Sequence, residues 1–202
     1  PRETPPPPGA RYAIYFGRLE ERKGVHVLAR AMAPVLREHP DLWFVLAGSD
    51  RRYGGGSMRE FVRAELRDSS ERVVTYDLLP PSRLMPLVAG ATLAILPSIW
   101  EAFGFVCLEA IALGVPTIAT SGSGFAEIIE DGVSGVLVPP GDAPAIGGAA
   151  TLLLSDPEKL AALALGGRDR AEQFDIRRIC GRLEDLYRAI LATACTGARR
   201  DG

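Results

Sequence analysis

The sequence predicts a doubly wound α/β domain: a parallel sheet of about six strands with helices on both faces, Rossmann-like in plan. Two observations carry this. Six short runs are almost continuously apolar, the pattern of strands covered on both faces. Longer amphipathic stretches lie between and after them, so strand and helix alternate as in consecutive βα units. In chain order, Tyr12-Ala13-Ile14-Tyr15-Phe16 is the first strand, followed by a helix over 24–38. A strand at 42–47 precedes a helix at 57–67, and a strand at 73–76 precedes one at 82–89. The strand at 92–96 leads to a helix at 105–113, and the strand at 116–119 to one at 124–130. A last strand at 135–138 is followed by helices at 142–154, 157–173 and 175–193, with Asp156-Pro157 opening the second of these.

Size and composition agree with one folded domain. A chain of 202 residues can bury roughly 70% of its extended surface without disulfide or metal staples. Hydrophobic residues at 47% and charged residues at 24% argue against disorder. The net charge of −2 gives no global field for nucleic acid or anionic lipid, so charge must be read locally. Cys107, Cys180 and Cys195 are too few and too scattered for a disulfide framework or a CxxC metal site; they fit a reducing, cytoplasmic setting. The longest mostly apolar run, Leu87 to Pro97, is far shorter than the ~20 residues of a membrane span. Residues 1–10, with four consecutive prolines at Pro5 to Pro8, read as a stiff linker, so the chain is expected to be part of something larger. The domain proper is 11–193, and the small, charged residues of 194–202 are expected to fray.

Ligands of such sheets bind beyond the carboxyl ends of the strands, so the βα turns are where chemistry is expected. The first turn is Gly17-Arg18-Leu19-Glu20-Glu21-Arg22-Lys23-Gly24. Gly17 permits a sharp turn, and Arg18 and Lys23 put a planar fork and a point charge near the next helix N-terminus, a pair suited to a diphosphate. A solvated loop partly neutralised by Glu20 and Glu21 is the plain alternative. The fourth turn carries Glu101 and, eight residues on, Glu109. With a helix beginning near Phe105, Glu109 sits about one turn in, near the free N–H groups of Gly104, Phe105 and Val106. Such carboxylates can accept sugar hydroxyls beside amides that hold anions; alternatively Glu109 complements the helix dipole and Glu101 is merely solvated.

Other features are weaker. Gly54-Gly55-Gly56 reads as a flexible surface loop, and Gly122-Ser123-Gly124 as a tight turn or a close approach to ligand. Neither GxGxxG after the first strand nor GxxxxGK[ST] occurs, which removes the main support for dinucleotide and P-loop readings. His26 and His39 stand at opposite ends of one helix and cannot share a metal. Cys107 is expected to pack rather than react, and Trp100 to pack on its own domain or stack on a ligand.

Together these turns resemble the C-terminal, donor-binding domain of GT-B glycosyltransferases of family 4, the retaining "group 1" enzymes, over about residues 11–190. The resemblance rests on Gly17-Arg18 with Lys23-Gly24, on Leu96-Pro97-Ser98 followed by Glu101-x7-Glu109 around Phe103-Gly104, and on Glu109-Ala110-x-Ala112-x-Gly114-x-Pro116. It continues through Glu127-x3-Asp131-Gly132-x2-Gly135-x-Leu137-Val138-Pro139-Pro140-Gly141-Asp142 and a final helix with Leu186-Tyr187. It implies that Arg18 and Lys23 hold the donor diphosphate and stabilise the leaving nucleoside diphosphate, and that Glu101 contacts the transferred sugar beside the amides of Phe103, Gly104, Phe105 and Val106. Glu109 would grip the ribose, and Leu79 would meet the base. It implies a nucleotide-diphosphate sugar as donor (a UDP-, GDP- or ADP-sugar), no metal and no other cofactor. Ala102, where the family commonly has glycine, and Ala91-Thr92 before the fourth strand are minor departures. A complete enzyme of this type has a further, N-terminal acceptor-binding domain, so the chain is expected to bind donor yet transfer sugar poorly alone. Peripheral membrane association through that other domain is compatible with this. A standalone nucleotide-sugar binding module and a GT-B-type nucleotide-sugar epimerase are the competing expectations; a nicotinamide dehydrogenase is the weakest.

Overall fold

The structure, a computed structural model, describes residues 5–197. Residues 1–4 of the expected linker and 198–202 of the expected tail lie outside the described residues. Six strands, β1 (Tyr12–Phe16), β2 (Trp43–Ala47), β5 (Val73–Tyr76), β6 (Leu93–Leu96), β7 (Thr117–Thr120) and β8 (Val136–Val138), form one sheet in the order β5-β2-β1-β6-β7-β8. Every pairing in it is parallel. The fold is therefore the expected Rossmann-like α/β sheet, with each strand within a residue of its predicted position.

Period-two alternation of apolar side chains shows why the strands read as continuous runs. Ala13 and Tyr15 enter one core while Ile14 and Phe16 enter the other; Phe44 and Leu46 alternate likewise with Val45 and Ala47. Helices α1 (Val25–Glu38), α2 (Met58–Glu65) and α6 (Ala143–Leu154) cover the first face. The second is covered by α3 (Pro81–Ala89), α4 (Phe105–Ala112) and α5 (Phe125–Ile128), with α7 (Pro157–Glu172) against α4 and α6. Leu28, Met32, Val35 and Leu36 form the buried stripe of α1 at helical spacing.

The sequence reading needed three adjustments. The Gly54–Gly56 segment is a tight hairpin between β3 (Arg52–Tyr53) and β4 (Gly56–Ser57), with positive φ at both Gly54 and Gly55, as a primed two-residue turn requires. Short 3-10 helices at Glu21–Lys23 and Arg67–Arg72 occupy what read as loop and helix end. The last helix, α8 (Ile176–Gly197), runs four residues past its expected end.

Strand order reverses between β1 and β6. From β1 the chain winds outward through β2 to β5, then returns beside β1 and winds the other way through β7 and β8. Adjacent βα turns that lead to opposite sides of the sheet leave a crevice between them. Here those are the turns after β1 and β6, the two singled out above.

Candidate functional site

The turn after β1 and the turn after β6 are stitched together at several points. The Ile99 amide donates to the Arg22 carbonyl at 2.9 Å, and the Arg22 guanidinium donates to the Trp100 carbonyl at 3.4 Å. That guanidinium also stands 5.7 Å from the centre of the Trp100 ring, which is otherwise 56% exposed. Gly24, in the left-handed region at φ 68°, starts α1, and a Cβ there would land on the Pro97 carbonyl oxygen. Beneath, the buried Thr120 hydroxyl donates to the Ser98 carbonyl at 2.5 Å.

A cleft with two lobes opens above this junction. The first, about 240 Å³, is lined by Tyr15, Phe16, Gly17, Arg18, Lys23, Leu96, Ser98 and Val106. The second, about 190 Å³, shares Phe16, Gly17, Arg18 and Val106 and adds Gly48, Ser49, Leu79 and Glu109. Arg18 thus stands in the common wall. Lys23 in one lobe forms an ion pair with Glu101, both side chains nearly buried at 14% and 13% exposure. Glu101 reaches the cleft through that lysine.

The cations are not free. Arg18 pairs with Glu20 at 3.2 Å, and Arg22 with the same carboxylate oxygen at 3.3 Å. One carboxylate shared by two guanidiniums compensates the turn only in part, and Arg18 keeps about half of its side chain exposed. Below the turn, the buried Tyr15 hydroxyl donates to the Arg18 carbonyl at 2.7 Å, fixing the peptide that presents Arg18. Burial, with the nearby Glu20 and Glu101 carboxylates, pushes the Tyr15 phenol far up, so it stays a neutral donor.

Gly104 starts α4 in the left-handed region at φ 102°, with no side-chain cap on the first turn. A Cβ there would collide with the Phe125 ring, so the Phe103-Gly104-Phe105 bend is closed from behind. The Phe103 and Phe105 rings pack on each other with centroids 5.0 Å apart and are not among the residues lining either lobe. Gly104 is likewise absent from both linings, and of this stretch only Val106 reaches the wall of the cleft. Glu109, in the middle of α4, lines the second lobe, and partial burial raises its carboxyl above the usual carboxylate range.

The structure thus brings Gly17, Arg18, Lys23 and Val106 to one lobe and Leu79 and Glu109 to the other, with Glu101 held against Lys23 and Phe103, Gly104 and Phe105 outside both linings. Other sequence candidates go to packing. Gly124 donates its amide to the Glu101 carbonyl at 2.9 Å, and a Cβ there would meet the Phe103 backbone, so the Gly122–Gly124 turn supports the loop. Cys107 is buried, its thiol pushed up to about 12 by desolvation. His26 opens α1 and His39 caps its far end, and among the described residues no group of three or more His, Cys, Asp or Glu could hold a metal ion.

Three contributors were not visible as a motif. Gly48 and Ser49, after β2, wall the second lobe, and a Cβ on Gly48 would strike the Gly17 carbonyl oxygen. Arg59, on α2, is 11% exposed and donates to the Tyr76 carbonyl at 3.3 Å and to Asp77 at 2.7 Å. It ties the loop that carries Leu79 to the end of β2, and the same guanidinium holds the Asp77 carboxyl below its usual range. One of two arginines in a short charged helix gives no sequence signal for such a role.

Residues 1–170 match the family described as glycosyl transferases group 1. The chain belongs to this family. It is 32% identical over 187 residues to a D-inositol 3-phosphate glycosyltransferase of Corynebacterium urealyticum, covering 91% of this chain and 44% of the relative. The sucrose-phosphate synthase of Thermosynechococcus elongatus superposes with a TM-score of 0.75 at 32% identity, over 93% of this chain and 47% of that one. Anabaena HepE, solved in complex with UDP-glucose, superposes with a TM-score of 0.72 at 26% identity, over 90% and 49%. The group 1 chain described here spans less than half the length of these relatives, consistent with one half of a GT-B fold.

Proposed function

We propose that this chain is the donor-binding half of a retaining glycosyltransferase of family 4, and that it takes a nucleotide-diphosphate sugar. One observation carries the reading: at the crevice between β1 and β6, a lobe holding two cations adjoins a lobe holding a carboxylate, with Arg18 in their common wall. A diphosphate fits the first lobe between Arg18 and Lys23; the ribose then reaches Glu109, and the base reaches the backbone around Leu79. Fixed cations at the bridging phosphate stabilise the negative charge that grows on the leaving nucleoside diphosphate, without a metal ion or other cofactor. To Glu101 and the amides of Phe103, Gly104, Phe105 and Val106 we assign the contact with the transferred sugar. That HepE was solved with UDP-glucose supports a uridine donor.

The acceptor belongs to the other half of the enzyme. Helix α8 supports that second half: Ile176, Ile179, Leu183, Leu186, Tyr187 and Leu191 lie along it at 42–68% exposure. Apolar residues at this spacing form a stripe that calls for a packing partner. No helix of the described chain is long and apolar enough to cross a membrane. We place the enzyme in the cytoplasm, with any membrane contact through the other half.

Calorimetric titration with UDP, GDP and ADP tests the reading, with Arg18→Ala/Lys23→Ala as control. Saturable binding of one nucleotide, lost in the variant, is expected; binding of none overturns the proposal. Each cation removed singly should cost roughly 1.5–3 kcal/mol, the range for charge-assisted hydrogen bonds.

A further inference from the structure

We infer that Glu101 makes the cleft prefer the intact nucleotide sugar over the spent nucleoside diphosphate, because it surrenders Lys23 to the diphosphate and needs a sugar hydroxyl in return. The inference rests on the donor-domain reading above and adds a specificity-determining role for the ion pair. Lys23 and Glu101 are paired and nearly out of water. A carboxylate and an ammonium so placed depend on each other, and separating them leaves each in need of a new partner.

Lys23 lines the first lobe with Arg18, so a diphosphate bound there draws the ammonium toward itself. The exchange satisfies Lys23, which trades one carboxylate for a more highly charged anion. It leaves Glu101 behind in a desolvated place. Two side-chain donors of the same turns are already engaged: the Tyr15 hydroxyl donates to the Arg18 carbonyl, and the Arg22 guanidinium is held by Glu20 and the Trp100 carbonyl; the first amides of α4, beside Gly104, are neutral donors and do not replace the ammonium's charge. The Glu101 backbone carbonyl, for its part, accepts from Gly124, so the loop is held and cannot carry the carboxylate out to water without breaking that bond. A sugar attached to the diphosphate offers hydroxyl donors to the carboxylate. A bare nucleoside diphosphate or pyrophosphate offers none. The released product is therefore held less well than the donor, and Lys23 returns to Glu101 as it leaves.

The glutamine variant separates this from simple support of the loop. Glu101→Gln keeps the shape but removes the charge that must be left unpaired. UDP and inorganic pyrophosphate are expected to bind this variant roughly fivefold more tightly than they bind the wild-type chain, a factor in keeping with one partly buried ion pair. UDP-glucose is expected to gain nothing, so the preference for donor over product shrinks. A role in loop support alone would weaken all three ligands alike, and that result overturns the inference.

Two measurements need no binding-site variant or no ligand. In the wild-type chain UDP-glucose should bind more tightly than UDP; UDP binding as tightly or more so overturns the inference even where Glu101→Gln does not fold. Lys23 and Lys159 are the chain's two lysines, so acylation by a water-soluble active ester, read by mass spectrometry, reports on Lys23 against an internal reference. Lys159 donates to the Gly132 carbonyl, remote from the cleft. Faster labelling of Lys23 but not Lys159 in Glu101→Gln is expected, and an unchanged ratio overturns the ion-pair exchange. UDP bound equally by wild type and Glu101→Gln removes this inference while the donor-domain reading stands. No nucleotide bound by either removes both.

Discussion

At the scale of single residues, the cleft works by charges that are already spoken for. Glu20 holds Arg18 and Arg22, and Glu101 holds Lys23, so the cations are positioned before any anion arrives. Fixing them in advance lowers the ordering cost of binding, at the expense of an exchange. Glu109 differs: its carboxyl is raised by partial burial and lines the second lobe. Glu109→Ala should weaken nucleoside diphosphate binding roughly tenfold, about 1.4 kcal/mol, and leave pyrophosphate nearly untouched. Titration of that variant with both ligands checks it, and equal weakening would disprove a ribose role. His26 carries a prediction about stability. It stacks on Tyr53 with ring centroids 5.3 Å apart, its Nδ1 is buried without a partner, and desolvation lowers its pKa from the ordinary 6.5. Because the unfolded chain binds the proton more readily, this contribution is fully present above pH 6.5 and is lost as the pH falls below it, through the lowered value of the folded state. Melting temperatures from pH 8 to pH 5 should show a shallower acid loss in His26→Phe than in wild type.

At the scale of elements, the turns matter more than the helices they join. Gly24 shows this most directly, since it caps one 3-10 turn, opens α1 and lets the β1 turn touch the Pro97 carbonyl. Gly24→Ala adds a left-handed alanine, itself about 1–2 kcal/mol, to a collision with backbone that cannot swing away. Thermal unfolding should show a loss of at least that size, with nucleotide binding weakened as well, because both turns move. The strands and long helices were legible because burial on both sheet faces writes apolar runs and 3.6-residue stripes directly into the sequence. The β3–β4 hairpin was not, since its strands are two residues each and offer no period to read. Arg59 was hidden for another reason: its partners are mainly carbonyls at the ends of β2 and β5, which only the sheet order brings together.

At the scale of the whole molecule, the domain has its own two-sided core, while Ile176, Leu183, Leu186 and Tyr187 of α8 are exposed. Exposed apolar residues contribute little to the stability of the isolated chain. Leu186→Glu should therefore shift its melting temperature by under ~0.5 kcal/mol in equivalent stability. In the full-length enzyme, where we place the second half against this helix, the same change should cost considerably more. Comparison of the two melts checks the assignment, and equal small shifts would mean that α8 faces solvent in both. The isolated chain should bind donor but give no robust sugar transfer, since donor and acceptor must be held together for reaction. Glycosyl transfer by this chain alone, to any acceptor, would contradict that.

The residue types alone were enough for the class of the sheet, the position of each main strand, and the two turns in which chemistry should be sought, because hydrophobic periodicity and turn residues are local properties. They also sufficed for the family, through motifs spread along most of the chain. Which cation meets which carboxylate was beyond them. Lys23 and Glu101 are 78 residues apart and meet only because the strand order reverses between β1 and β6. That reversal is a matter of how helices pack on the two faces of the sheet, and it is what turns two ordinary loops into a single cleft.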